Sequence, residues 1–248
     1  MLAPIWILVI SLVIVYSASF IQGLSGFGSA LVMVPLLVLF FPPKTVIPVS
    51  LMIGTALNLI ISVRERRSLQ GKRIRPLLIA GAAGIPVGML ILLVVEGDII
   101  RLVIGLVICI TAILLLSGLY LRIGKEKLAL LPVGFVSGVL NGSISMSGPP
   151  VVLFFSNQKL KKGNFRANLV TYFIFLNILT YPVFLIGGLF TTDVLILSAL
   201  TAPGMVLGLI TGLMLSGKVE EAHFKRIALI LVVVTGLSAL VSGITGLI

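Results

Sequence analysis

The chain has 248 residues, 59% of them hydrophobic and only 10% charged, and its 18 Lys and Arg outweigh 7 Asp and Glu to give a formal net charge of +11. A soluble domain carries about 25% charged residues, whereas uncharged apolar runs long enough to cross a bilayer recur along this chain, so a soluble enzyme or binding module is excluded. The basic residues gather in short loops between apolar segments, as in the cytoplasmic loops of multi-pass membrane proteins; the expected partner is the lipid bilayer, and no nucleic acid.

The first apolar segment, 4–22, has no Lys or Arg at its start, so it lacks the charged leader of a signal peptide and reads as the first span of the mature protein. It runs into "QGLSGFGSALVMVPLL" (22–37), where Gly23, Ser25, Gly26, Gly28 and Ser29 interrupt the helical pattern before a short apolar arm at 27–41. The segment 46–63 carries one amide, Asn58, in its middle, and the loop at 64–75 holds Arg64, Arg66, Arg67, Lys72, Arg73 and Arg75 against the single acid Glu65. Segments 76–95 and 99–120 follow, separated by Glu96 and Asp98, and then the basic "RIGKEK" at 122–127. The segment 128–142 ends in "NGSISMSGPP" (141–150), where Gly142, Ser143, Ser145, Ser147, Gly148, Pro149 and Pro150 crowd into ten residues. A short arm at 147–157, a basic loop at 157–166 that ends on Arg166, and a segment at 164–186 with Asn177 in its middle come next. The unbasic "GGLFTTD" at 187–193 leads to segments 194–215 and 227–247, with Lys218, Lys225 and Arg226 between them. A bilayer core needs about 20 residues of helix, so the arms 27–41 and 147–157 are either short tilted spans or returning arms of hairpins. Both readings bring the chain back to the side it left.

Charge then orients the segments. With 64–75 in the cytoplasm, 157–166 is also cytoplasmic, while 187–193 and both termini lie outside; every strongly basic loop agrees with this one topology. A shift of 119 residues sets Gln22-Gly23 on Asn141-Gly142 and Asn58 on Asn177, and a shift of 120 sets Gly88 on Gly208. The order of events also repeats: arm, Gly/Ser break, short arm, loop, span with an amide, loop, Gly-rich span, loop, span. The expected fold is an all-α polytopic membrane protein of two inverted repeats, 1–122 and 123–248. Each would hold about five hydrophobic segments, with broken helices or hairpins near the midplane, as in secondary transporters.

Non-helical backbone inside a bilayer is tolerated only where protein or a water-filled cavity satisfies its N–H and C=O groups. Matching breaks therefore point to a central cavity whose helix N-termini offer partial positive charge to an anion. Pro149 and Pro150 suit a helix start, where a missing N–H costs nothing. The substrate-binding candidates are Gln22, Gly23, Ser25, Gly26, Gly28 and Ser29 at the first break, with Asn58. At the second break they are Asn141, Gly142, Ser143, Ser145, Ser147, Gly148 and Pro149, with Asn177. Two structural alternatives stand beside this reading. Small residues also let helices pack closely, and buried amides also bond one helix to another. Arg166 either attracts anions into the inner vestibule or snorkels to the interface. No Asp or Glu lies within an apolar segment, so a carboxylate proton relay has nothing to run on. Cys109 is the only cysteine and His223 the only histidine; no metal site, cofactor or catalytic residue is expected, and an enzyme reading is weak.

The stretches "QGLSGFGSALVMVPLLVLFFPPKTVIPVSLMIG" and "GFVSGVLNGSISMSGPPVVLFFSNQKLKKGNFRANLVTYFIFLN" resemble the TauE/SafE family of sulfite exporters and related anion permeases. The most specific elements are Gly148-Pro149-Pro150 and the following Phe165-Arg166-Ala167. The resemblance covers essentially the whole chain and implies a multi-pass permease of the inner membrane for sulfite, an organosulfonate or another small anion. Export is the expected direction; import of a sulfur oxyanion or carboxylate, and an anion channel, are the alternatives.

Overall fold

A computed structural model describes residues 4–65, 71–117, 126–156 and 162–216. Among these residues the structure is all helical: α1 (Ile5–Ser25), α2 (Ser29–Leu37), α3 (Pro43–Glu65), α4 (Gly71–Val94), α5 (Gly97–Ser117), α6 (Glu126–Ile144), α7 (Gly148–Ser156), α8 (Lys162–Ile186) and α9 (Thr192–Leu215). Six of them, α1, α3, α4, α5, α8 and α9, are long and apolar enough to cross a membrane. Each of the nine apolar segments from 4–22 to 194–215 has one helix as its main part, α2 covering only Ser29–Leu37 of the 27–41 arm. The tenth, 227–247, lies outside the described residues, as do His223, Lys218 and much of the basic loops.

Helices overrun the apolar segments at several ends. α3 starts at Pro43 rather than 46, because proline's fixed φ and missing N–H suit the first turn. α4 starts at Gly71, within the basic loop, since Lys and Arg are good helix formers. Charge marks where the apolar span ends, and the helix continues past it.

The two short arms return. The Trp6 ring near the start of α1 lies 6.3 Å from the Phe40 ring, just past α2, so α2 folds back along α1. Val151, Val152, Phe154 and Phe155 of α7 pack with Ile74 and Leu77 from the start of α4 and Leu130 from the start of α6, so α7 turns back along α6. In both hairpins the break follows the same helical step: α1 ends at Ser25 and α2 begins at Ser29, while α6 ends at Ile144 and α7 begins at Gly148, each 119 residues later.

Two glycine seams hold the bundle. A side-chain carbon added to Gly204, Gly208 or Gly212 of α9 would come within 2.6 Å, 2.2 Å and 2.4 Å of the carbonyl oxygens of Leu12, Tyr16 and Phe20. The register rises together on both helices, so α1 and α9 run parallel. In α6, the same addition at Gly134, Gly138 or Gly142 would come within 2.4 Å, 2.0 Å and 2.3 Å of the carbonyls of Leu77, Gly81 and Ile85, so α4 and α6 are parallel as well. Lipid tails are as apolar as leucine, and helices in a bilayer associate by such backbone-close packing rather than by hydrophobic exclusion. α8 lies along α4 in the same direction, Gly81 facing Tyr172 and Leu176, and Met89 facing Gly187. A tight turn at Gly188 (φ +66°) then reverses the chain into α9. The pair α1–α9 therefore runs against the pair α4–α6, and the two hairpins enter the bundle from opposite ends.

Basic side chains close helix C-termini, where the helix dipole is negative. Lys44 Nζ donates to Leu93 O at the end of α4 (2.9 Å), and Arg101 Nε donates to Val38 O at the end of α2 (3.0 Å) while its guanidinium pairs with Asp98.

Candidate functional site

The helix ends described above converge on one cavity of about 50 Å³ of water-accessible space. One water needs roughly 10–15 Å³ on this measure, so the cavity holds a few waters or one small ion. From the first break it is lined by Gly28 and Ser29; from the second, by Ser145, Ser147, Gly148 and Pro149. The amides Gln22, Asn58, Asn141 and Asn177 complete the polar wall.

Each break ends its helix with a left-handed residue. Gly26 has φ +88° and its N–H reaches Gln22 O at 2.7 Å. Ser145 has φ +56° and its N–H reaches Asn141 O at 3.0 Å. Glycine adopts this conformation freely, but for an L-residue it costs roughly 1–2 kcal/mol. Gly28, with φ +100°, then precedes α2, and no side chain caps that N-terminus. The first N–H groups of a helix have no partner within it, so α2 presents uncapped donors beside the cavity. The second break is pinned from behind: Tyr172 Oη donates to Ser137 Oγ (2.9 Å), which donates to Ser147 O (2.7 Å).

The amides are held by partners of their own. Gln22 Nε2 donates to Asn58 Oδ1 (2.8 Å), Asn141 Nδ2 to Thr180 Oγ1 (2.8 Å), and Asn177 Nδ2 to Thr55 Oγ1 (3.1 Å). The last bond joins α8 to α3 beside the cavity. These bonds fix the side chains at the cavity wall, so the interhelical and cavity-lining readings of the amides hold together.

Six of the sequence candidates do not line the cavity. Gly23 and Gly142 belong to the seams, where an added side-chain carbon would meet Leu209 O at 2.9 Å and Ile85 O at 2.3 Å. Ser25 and Ser143 turn their hydroxyls onto their own helices, at Ile21 O and Val139 O (2.8 Å each). Gly26 lies under the Arg166 side chain. Arg166 itself donates from Nη2 to Gly23 O (3.0 Å) and from Nη1 to Ser216 Oγ (3.3 Å). It ties the C-terminus of α1 and the end of α9 to the start of α8, a third cation on a helix C-terminus.

Other lining residues were not singled out by sequence. Phe27, Met146 and Phe173 give the cavity an apolar side, and Ser50 and Gly54 add a face of α3. The signal for the latter is the four-residue spacing Ser50, Gly54, Asn58, one stripe on one helix. No group of three or more His, Cys, Asp or Glu side chains among the described residues is placed to hold a metal ion.

Membrane-spanning helices interrupted in pairs around a small cavity with hydroxyls and amides in its wall define a multi-pass membrane transport protein. A family model described as Sulfite exporter TauE/SafE matches residues 11–239. The chain belongs to that family, whose members are membrane transporters of sulfite and related anions. Neither curated proteins nor solved structures yielded a match.

Proposed function

We propose that this protein is a secondary permease of the inner membrane that exports a small sulfur-containing anion, sulfite or an organosulfonate, through the cavity between the two breaks. The observation that carries the proposal is that α2 and α7 both begin at this cavity, α2 without a side-chain cap. The N-terminus of α2 offers an anion oriented N–H groups and a partial charge of roughly half an elementary unit, whereas α7, whose Pro149 and Pro150 carry no N–H, contributes the positive end of its dipole and the Gly148 N–H. Ser29, Ser145, Ser147 and the four amides supply further donors. The cavity suits an ion of a few heavy atoms, as sulfite is.

The chain is further proposed to be two inverted repeats, 1–122 and 123–248. The 119-residue offset between the breaks, the oppositely entering hairpins and the two antiparallel glycine seams support this reading. Rocking of one repeat against the other would expose the cavity alternately to each side. An inside-negative potential favours anion exit by about 2.3 kcal/mol per charge per 100 mV, so export proceeds without a coupling ion.

The test is sulfite and organosulfonate flux from proteoliposomes under an imposed potential, comparing the native protein with Asn141→Leu. Expected are saturable efflux that rises with the inside-negative potential and its loss in the variant, which fills the cavity and removes a donor while the protein still folds. Efflux that never saturates would indicate a channel; anion uptake driven by an inward ion gradient, with no efflux under the potential, would indicate an importer. Unchanged flux in folded Asn141→Leu would sink the cavity as the site.

A further inference from the structure

Ser50 is a buried residue, 2% exposed, whose hydroxyl makes no hydrogen bond among the described residues. Buried hydroxyls in a helix ordinarily bond back to the carbonyl four residues earlier, as Thr55 does to Leu51 O at 2.7 Å one turn along the same helix. Ser50 does not, and it lines the cavity. An unsatisfied buried polar group destabilises a fold; such a group is explained by a bound water, a ligand or a functional role, and at Ser50 the cavity is where such a partner can sit.

Its neighbours on the stripe point the same way. Gly54, one turn on, also lines the cavity, and a side-chain carbon there would meet nothing closer than Asn177 Nδ2 at 3.9 Å. Unlike the seam glycines, Gly54 is not needed for close packing; its missing side chain leaves room. At the 119-residue offset, Ser50 corresponds to Leu169, a core residue outside the cavity, and Gly54 to Phe173, an aromatic wall. The cavity is thus hydroxyl-bearing and open on its α3 side, and aromatic on its α8 side.

We infer that Ser50 donates a hydrogen bond to the transported oxyanion and that Gly54 beside it sets the size of the anion admitted. Phe173 and Phe27 then face whatever the anion carries opposite its oxygens: nothing in sulfite, a short apolar group in a sulfonate. This deepens the reading of the cavity as the anion site and rests on it.

The test uses purified full-length protein carrying Ser50→Ala, Ser50→Thr, Gly54→Ala or Asn141→Leu, with sulfite and methanesulfonate flux in proteoliposomes and thermal unfolding in detergent without substrate. A hydrogen bond to a charged group accounts for about a tenfold change in affinity or more, so Ser50→Ala should raise the KM for sulfite by about tenfold. It should also raise the unfolding temperature, because it removes an unsatisfied group. Ser50→Thr, which keeps the hydroxyl, should restore most of the affinity. Gly54→Ala should fold normally and lower methanesulfonate flux several-fold more than sulfite flux. A structural role for Ser50 would instead lower the unfolding temperature at unchanged KM, and that result overturns the inference. Loss of flux in Asn141→Leu with unchanged KM in Ser50→Ala rejects the inference alone. Unchanged flux in all four variants rejects the cavity as well.

Discussion

Ser145 shows how a single residue records what the site requires. It occupies the left-handed end of α6, the conformation that Gly26 adopts at the end of α1. Glycine would serve the backbone better at this position, yet the residue is serine and it lines the cavity. Strain of this kind persists where function needs the side chain. Ser145→Gly is expected to relieve about 1–2 kcal/mol of backbone strain, partly offset by roughly 0.4–1 kcal/mol from the freer unfolded chain. Its unfolding temperature in detergent should therefore hold or rise slightly, while the KM for sulfite rises. A clear drop in unfolding temperature would mean that the hydroxyl is structural. Arg166 carries the opposite lesson. A cation at a span entrance suggested attraction of anions, but its guanidinium is engaged with Gly23 O and Ser216 Oγ outside the cavity. Isolated amides in hydrocarbon, such as Asn58 and Asn177, were legible because nothing else in a membrane helix resembles them. Ser50 and Gly54 were not, since single Ser and Gly are ordinary in membrane helices and only their spacing to Asn58 sets them apart.

At the scale of elements, the helices are joined by backbone contact. The closest approach is at Gly138, where a side-chain carbon would fall 2.0 Å from Gly81 O. Neither backbone can give way without parting α4 from α6. Overpacking of a tight interior typically costs 1–3 kcal/mol, and Gly138→Val is expected to cost at least about 3 kcal/mol and to leave little folded protein. Gly188→Ala, in a turn with open space around it, should be far milder despite its positive φ. Fluorescence-detected size-exclusion profiles of the two variants would rank them, and equal profiles would refute the seam. The sequence marked where helices break, because Gly, Ser and Pro cluster there. It did not tell Gly23 and Gly142 of the seams from Gly28 and Gly148 of the cavity, since a glycine that admits a backbone and one that admits a ligand read alike. It left open whether the short arms are tilted spans or returning arms of hairpins, because both bring the chain back to the side it left; the nine-residue helices α2 and α7, with Trp6 against Phe40 and the packing of α7, run back beside α1 and α6.

For the whole molecule, the proposed orientation is testable by labelling. In a Cys109→Ser background, Thr192→Cys at the start of α9 should react with an impermeant thiol reagent from outside intact cells. Lys162→Cys at the start of α8 should react only after the membrane is opened. Reaction of position 162 from outside would invert the topology. The basic loops set this expectation.

The glycine seams also govern how the protein is made. α1 precedes its partner α9 by about 190 residues, Leu12 meeting Gly204. At roughly 5–20 residues per second, α1 waits in the bilayer on the order of ten seconds or more before its seam can close. α4 and α6, by contrast, meet across only 57 residues, Leu77 meeting Gly134, with α5 between them. The α4–α6 seam can therefore close before the α1–α9 seam, which waits for the last described helix. A nascent chain stalled before α9 leaves the face of α1 that carries the Leu12, Tyr16 and Phe20 carbonyls without its glycine partner, although α1 already meets Phe40 and Asn58.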